Sequence, residues 1–421
     1  MSTVKSLSFS EHQTGMKRIH ASIPRLVLVL AGVLLIAGIS QAQPAKGANK
    51  FLGNITTNGA VRSDFMTYWN QITPENESKW QSVESTRGTF VWTGVDNVKN
   101  FATQNNILWK FHTLVWGSQY PTWITSLSTA DQLTEVTEWM DAAKTKYPDL
   151  PMIDVVNEAY PSHAPAPYKA ALGGDGTTGY DWIFKAFTMA RTRWPNAILI
   201  YNDYNNCEYS GEVNWTVDLI TKAKANNIPI DAIGCQAHDA YKLTTATVKS
   251  NIDKLAATGL PIFITEYDIG QTDDATQLSI MKEQFTMFWT HSKIVGVTYW
   301  GYVTGSTWRT GTGLMSSSGT ERPALTWLKD YVKNNPNPAN DFPGLLKLGT
   351  VGTLSPNAAT RQATAVRNDR KHVEVFDLQG RTAKPFYVNS QTIPVSSMVS
   401  SQGNYVVKQD GTCAEIINVT K

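Results

Sequence analysis

Between residues 51 and 334 the chain alternates apolar, strand-like runs with amphipathic stretches, and that rhythm is its strongest constraint on fold. The strand-like runs cover 51–56, 70–75, 108–116, 152–159, 197–204, 232–238, 261–268 and 294–302. Most are continuously apolar, as expected when both faces of a parallel sheet are covered. The clearest intervening helix opens at Ser128-Thr129-Ala130-Asp131, a capping signal, and carries Leu133, Val136, Met140 and Ala143 at helical spacing. Other helices are predicted over 95–105, 181–193, 213–225, 245–257, 276–291 and 323–333, with a weaker one over 60–68. Eight such pairs predict an α/β protein, a (β/α)₈ barrel. A doubly wound open sheet is the alternative, but no glycine-rich phosphate loop follows the first strand.

Two of these runs end in glutamates. Val155-Val156-Asn157-Glu158 closes the fourth run, and Ile264-Thr265-Glu266-Tyr267-Asp268 closes the seventh. Barrel enzymes build their sites at the C-terminal ends of strands, and strands four and seven lie on opposite sides of an eight-strand ring. Both carboxylates would then overlook one mouth. Paired carboxylates flanking a bond are what glycosidic cleavage requires, one as proton donor and one to attack or stabilise the developing cation. The plainer reading is two solvated strand-end charges.

A net charge of +2 and the absence of like-charge runs argue against a nucleic-acid surface. The 14 tryptophans and 16 tyrosines suit sugar stacking but are also ordinary core material. No spacing resembles a zinc site, and no cofactor or metal is expected. Cys207, Cys235 and Cys413 are too few for a disulfide framework, and a Cys207–Cys235 pair stays open. Residues 1–42 read as a signal peptide: Lys17, Arg18 and Arg25 precede the apolar stretch 26–39, which ends at Ser40-Gln41-Ala42. Met16 is an alternative start, and the mature chain is expected to begin near Gln43. The catalytic domain is assigned to 43–334. Residues 335–370 read as a linker opened by an Asn/Pro-rich run, and 371–421 as a small β module with turns at Gln379-Gly380, Gln402-Gly403 and Asp410-Gly411.

Other strand ends are also polar and aromatic: Glu75-Asn76-Glu77-Ser78-Lys79 after strand two and His112 to Trp116 and Gln119 after strand three. Asn202-Asp203-Tyr204 closes strand five, Gln236-Ala237-His238 strand six, and Trp300 strand eight, with Trp308 beyond it. Together with the two glutamate ends, these motifs in this order resemble glycoside hydrolase family 10, the (β/α)₈ endo-β-1,4-xylanases, over about 51–334. The resemblance implies that Glu158 is the acid/base and Glu266 the nucleophile of a retaining double displacement. It implies that His238 hydrogen-bonds Glu266 while Asp268 orients the imidazole, and that Asn157 and Gln236 hold the sugar 2-hydroxyl and the acid/base. Glu75, Asn76, Lys79, His112 and Gln119 would line the glycone subsites. Trp116 and Trp300 would wall the subsite beside the cleaved bond, Trp308 would overhang the cleft, and Asn202 and Tyr204 would also meet substrate.

The chain departs from the family pattern at Gly117, commonly His, at Ile153, often aromatic, at Tyr267, usually Leu, and at Thr304, often Asp. The expected partners are xylan and xylo-oligosaccharides, for a monomeric enzyme secreted or held at a bacterial cell surface. A β-1,4-glucanase on the same barrel and a catalytically silent polysaccharide-binding protein are the alternatives. Residues 373–381 and 403–408 resemble the C-terminal sorting domains of type IX secretion substrates, with a carbohydrate-binding β-sandwich as the other reading.

Overall fold

All eight expected strands are present and close into a parallel barrel in sequence order, with the eighth pairing back to the first. The computed structural model describes residues 43–346 and, beyond them, the backbones of four strands. The barrel strands are β1 (Phe51–Ile55), β2 (Gln71–Thr73), β3 (Leu108–Val115), β4 (Met152–Asn157), β5 (Ile198–Asp203), β6 (Ala232–Cys235), β7 (Ile262–Tyr267) and β8 (Ile294–Tyr299). All their residues are buried, which explains runs without polar alternation.

Among the described residues, besides a single helical turn at Trp80–Val83, the helices around the barrel are α1 (Phe65–Tyr68), α2 (Thr93–Asn105), α3 (Thr129–Lys146), α4 (Asp181–Arg193), α5 (Ser210–Ala225), α6 (Thr245–Ala256), α7 (starting Asp274–Ile280) and α8 (Pro323–Asn334). The capping signal of α3 is real, with the Ser128 side chain accepting from the Asp131 amide. The 60–68 helix contracts to the four residues of α1, and α7 continues through a π-helical turn, Met281–Phe285, into Thr286–Thr290.

The barrel interior is layered. Phe51, Leu108, Met152, Ile198, Ile200, Ala232, Phe263 and Val295 form an apolar plug at the end away from the site, sealed by Leu345. Here the sequence reading is corrected: 335–346, read as the start of a linker, packs under the barrel. Asn340 donates to the Asn49 carbonyl, Trp289 to the Asn335 carbonyl, and Asp341 pairs with Lys293. The rest of that segment, residues 1–42, expected to be a signal peptide, and the turns of the C-terminal module lie outside the described residues.

Above the plug the interior becomes polar. Lys110 meets Asp154 at 2.6 Å, and Thr298 donates to Gln71. In β4 the pairing with both neighbours shifts between Asp154 and Val156. The extra residue moves the inward phase from Asp154 to Asn157, which pairs with Asn202. That bulge is how a strand whose pleat would turn Val156 inward delivers Asn157 to the mouth. The C-terminal unit is a separate antiparallel sheet of β9 (Lys371–Asp377), β10 (Thr382–Val388), β11 (Gly403–Gln409) and β12 (Thr412–Val419), in the order β10-β9-β11-β12.

Phe51 fits the plug only because its β8 partner is Gly296, where a Cβ would stand 2.3 Å from the ring. Gly296→Ala should lower unfolding free energy by about 1–3 kcal/mol through overpacking. A denaturant titration that left the midpoint unchanged would contradict this packing.

Candidate active site

The mouth of the barrel is organised around Glu266, the next-to-last residue of β7 and almost wholly buried. Its Oε1 accepts from Asn202 Nδ2 at 2.8 Å, and its Oε2 faces His238 Nε2 at 3.3 Å. His238 Nδ1 meets Asp268 Oδ2 at 2.9 Å. Asp268 also accepts from the Trp308 indole at 2.8 Å, while Arg309 donates to the His238 carbonyl and lies over the Trp308 ring. Burial alone would push the Glu266 carboxyl up. The His238 hydrogen bond, with His112, His238 and Lys110 nearby, outweighs it and holds the group at about 2. Burial pulls the His238 imidazole down, but Asp268 and Glu266 raise it to about 10, so it is a cation at neutral pH.

Glu158 is treated in the opposite way. It sits one residue beyond β4 with φ +55° and is held by neutral donors. Gln236 Nε2 at 3.0 Å and Asn157 Nδ2 at 3.2 Å reach Oε1, and the Trp116 indole reaches Oε2 at 2.9 Å. Burial raises its pKa, the Gln236 and Trp116 donors oppose that, and the Glu266 charge raises it further. The two carboxyl groups are joined through amides: Asn202 Nδ2 bonds both Glu266 and Asn157 Oδ1, and Asn157 bonds Glu158.

Several of the remaining expected residues touch one another. Lys79 is buried, donates to Asn76 at 2.9 Å and Gln119 at 2.6 Å, and lies over the Trp116 ring at 4.9 Å. Burial lowers its pKa while Glu266, Glu75 and Glu158 oppose that, and the side chain is held in place rather than being one half of an exposed ion pair. His112 bonds Asp154 through Nδ1 at 2.8 Å and meets Trp300 edge-on, with ring centres 5.4 Å apart. Trp300 is buried, whereas Trp308 is half exposed and stands 4.7 Å from His238. Tyr204 is partly exposed.

The structure places Asn202, an expected substrate contact, inside the hydrogen-bond network of the site. It is fully buried, its Oδ1 accepts from Thr265, and its Nδ2 braces Asn157 and Glu266. Gly234 makes this possible, because a Cβ there would stand 2.4 Å from Asn202 Oδ1. Gly117 is likewise required: its amide donates to the Ala164 carbonyl, and a Cβ would meet the Ala164 and Pro165 oxygens at 2.3 and 2.4 Å. Backbone of the loop after β4 fills the space next to Gly117. Thr304 is tied by its amide to Met315, while Ile153 and Tyr267 are core residues. Cys207 and Cys235 are buried and free. The sequence reading missed the cluster that joins Lys110 and His112 in the apolar run of β3 to Asp154 in β4, as well as Arg309 and the pair His163–Asp203.

An eight-strand barrel with two carboxyl groups at its mouth, one with its pKa raised and one with its pKa lowered, defines a glycoside hydrolase site. The Glycosyl hydrolase family 10 model matches residues 40–331, and the chain belongs to that family. It is 48% identical over 288 residues to Endo-1,4-beta-xylanase B of Cellvibrio japonicus, covering 68% of this chain and 46% of that protein. The chain thus spans less than half the length of that relative. It is 28% identical to Endo-1,4-beta-xylanase B of Thermotoga neapolitana over 315 residues, 69% of this chain and 89% of that one. Among solved structures, xylanase 10B from Thermotoga petrophila RKU-1 in complex with xylobiose matches with a TM-score of 0.63 at 26% identity, covering 72% of this chain and 99% of that chain.

Removing the imidazole leaves the burial of Glu266 less opposed. In His238→Ala the acidic limb of kcat/KM should therefore move to higher pH, because Glu266 must be ionised to act. An acidic limb at the wild-type position would show that His238 does not hold the charge on Glu266.

Proposed function

We propose that the chain is a secreted endo-β-1,4-xylanase that cleaves internal xylosidic bonds of xylan with retention of configuration. The observation that carries this reading is the opposite treatment of two carboxyl groups in one site, Glu158 raised and Glu266 lowered. In the first step the Glu266 carboxylate attacks the anomeric carbon, and Glu158 gives its proton to the departing glycosidic oxygen. In the second, Glu158 takes a proton from water, the water oxygen bonds the anomeric carbon, and Glu266 leaves as carboxylate. Asn157 and Gln236 hold Glu158 and face the sugar 2-hydroxyl.

Preference for xylose over glucose rests on crowding where glucose carries its hydroxymethyl. Gln119 is held between Lys79 and Asn76, and Trp308 is tethered to Asp268, so neither side chain swings freely away. The names of the relatives point the same way. For secretion, the support is the signal-like 1–42. Gln43, the expected first mature residue, donates to the Trp69 carbonyl as part of the folded domain. The C-terminal sheet serves, on this reading, as a type IX sorting module.

The test compares initial rates on xylan and on carboxymethylcellulose, with the product anomer followed by NMR. The expected result is preference for xylan and β product first; preference for carboxymethylcellulose, or α product first, would overturn the reading. Glu266→Ala should remove reducing-sugar release, and persistence of that release would exclude Glu266 as nucleophile.

A further inference from the structure

The residue that carries the proton-donating carboxyl has an unusual backbone. Glu158 lies in the left-handed region at φ +55°, a conformation that persists only where the surroundings impose it. Two main-chain bonds impose it directly: the Glu158 amide donates to the Asn202 carbonyl at 2.9 Å, and the Ala164 amide donates to the Glu158 carbonyl at 3.0 Å. The loop between 158 and 164 is therefore closed on itself, and whatever fixes that loop fixes the acid/base.

What fixes it is His163. Its amide donates to the Tyr160 carbonyl at 2.8 Å, and its Nδ1 lies 2.7 Å from Asp203 Oδ1 at the end of β5. Asp203 is buried and saturated with donors: Tyr160 N at 3.1 Å, Tyr201 Oη at 2.5 Å and Tyr204 N at 3.0 Å, besides His163. The His163 ring also stacks on Tyr204, with centres 3.5 Å apart and planes 18° from parallel. One side chain thus ties the loop bearing Glu158 to the strand end bearing Tyr204.

We propose that His163 is a positioning residue for the acid/base: by bonding Asp203 and stacking on Tyr204, it holds Glu158 in line with the departing oxygen. It does not touch the reacting bond. The inference rests on the reading of Glu158 as acid/base and assigns to His163 a role that no motif marks. The two functions of the side chain can be separated. His163→Asn keeps a donor for Asp203 but loses the plate; His163→Phe keeps the plate but loses the donor.

The experiment measures kcat/KM, which reports the bond-breaking step, on a p-nitrophenyl xylobioside and on an unactivated xylo-oligosaccharide. The nitrophenolate leaves with little protonation, so misplacing the acid spares it. For His163→Ala we expect a loss of about 10- to 100-fold on the oligosaccharide, the usual consequence of a small misplacement, and under about threefold on the aryl substrate. His163→Asn or His163→Phe should recover part of the oligosaccharide activity. Equal losses on the two substrates, or no loss in any of the three variants, would overturn the inference. Glu158→Ala run alongside separates the two levels: if it lacks the leaving-group dependence, the acid/base assignment itself falls. If it shows the dependence and soluble His163 variants do not, only the role of His163 falls.

Discussion

A carboxylate taken out of water must be compensated by its surroundings, at a desolvation cost of several kcal/mol. Glu266 is nearly wholly buried at the barrel mouth, and much of the site follows from that demand. The His238 imidazolium supplies the charge, Asp268 fixes the imidazole, and Trp308 and Arg309 hold Asp268 and His238 from the solvent side. Beneath them Lys110 and His112 converge on Asp154, adding positive potential inside the barrel.

The same burial has the opposite outcome at Glu158, because its nearest donors are neutral. Gln236, Asn157 and Trp116 stabilise the carboxylate too weakly to offset desolvation and the nearby Glu266 charge. Two residues of one type, on facing strands of one barrel, thus have their pKa values shifted in opposite directions. Asn202 links them mechanically, and Gly234 makes room for Asn202. Two tryptophans at the mouth are placed by these polar contacts as well: Trp116 by Glu158, Trp308 by Asp268.

Much of this was legible in the sequence. Strands buried on both faces leave unbroken apolar runs, and counting those runs places Glu158 and Glu266 across the ring. The His238–Asp268 relation came from the resemblance to family 10, and the two side chains meet at 2.9 Å. What was not legible depends on register and close approach. The β4 bulge that turns Asn157 inward has no residue signature, and neither does the left-handed backbone of Glu158. Lys110 sits within an apolar run, where a buried partner can be found only in three dimensions. Asn202 was expected to meet substrate, and its bracing of Asn157 and Glu266 shows only in three dimensions. The Asn/Pro-rich 335–346 reads as a linker, although Leu345 ends in the plug. His163 lies in a loop with no periodicity, and its partner Asp203 is forty residues away in the chain.

The central claim is that Glu266 is held as a carboxylate in order to bond the sugar. The direct measurement is mass spectrometry of peptides from enzyme treated with an activated 2-deoxy-2-fluoro-xylobioside, which slows release of a covalent intermediate. The account predicts one added glycosyl group, carried by the peptide containing Glu266 and attached to that residue. A group attached to any other residue, or an active enzyme left unlabelled, would contradict it.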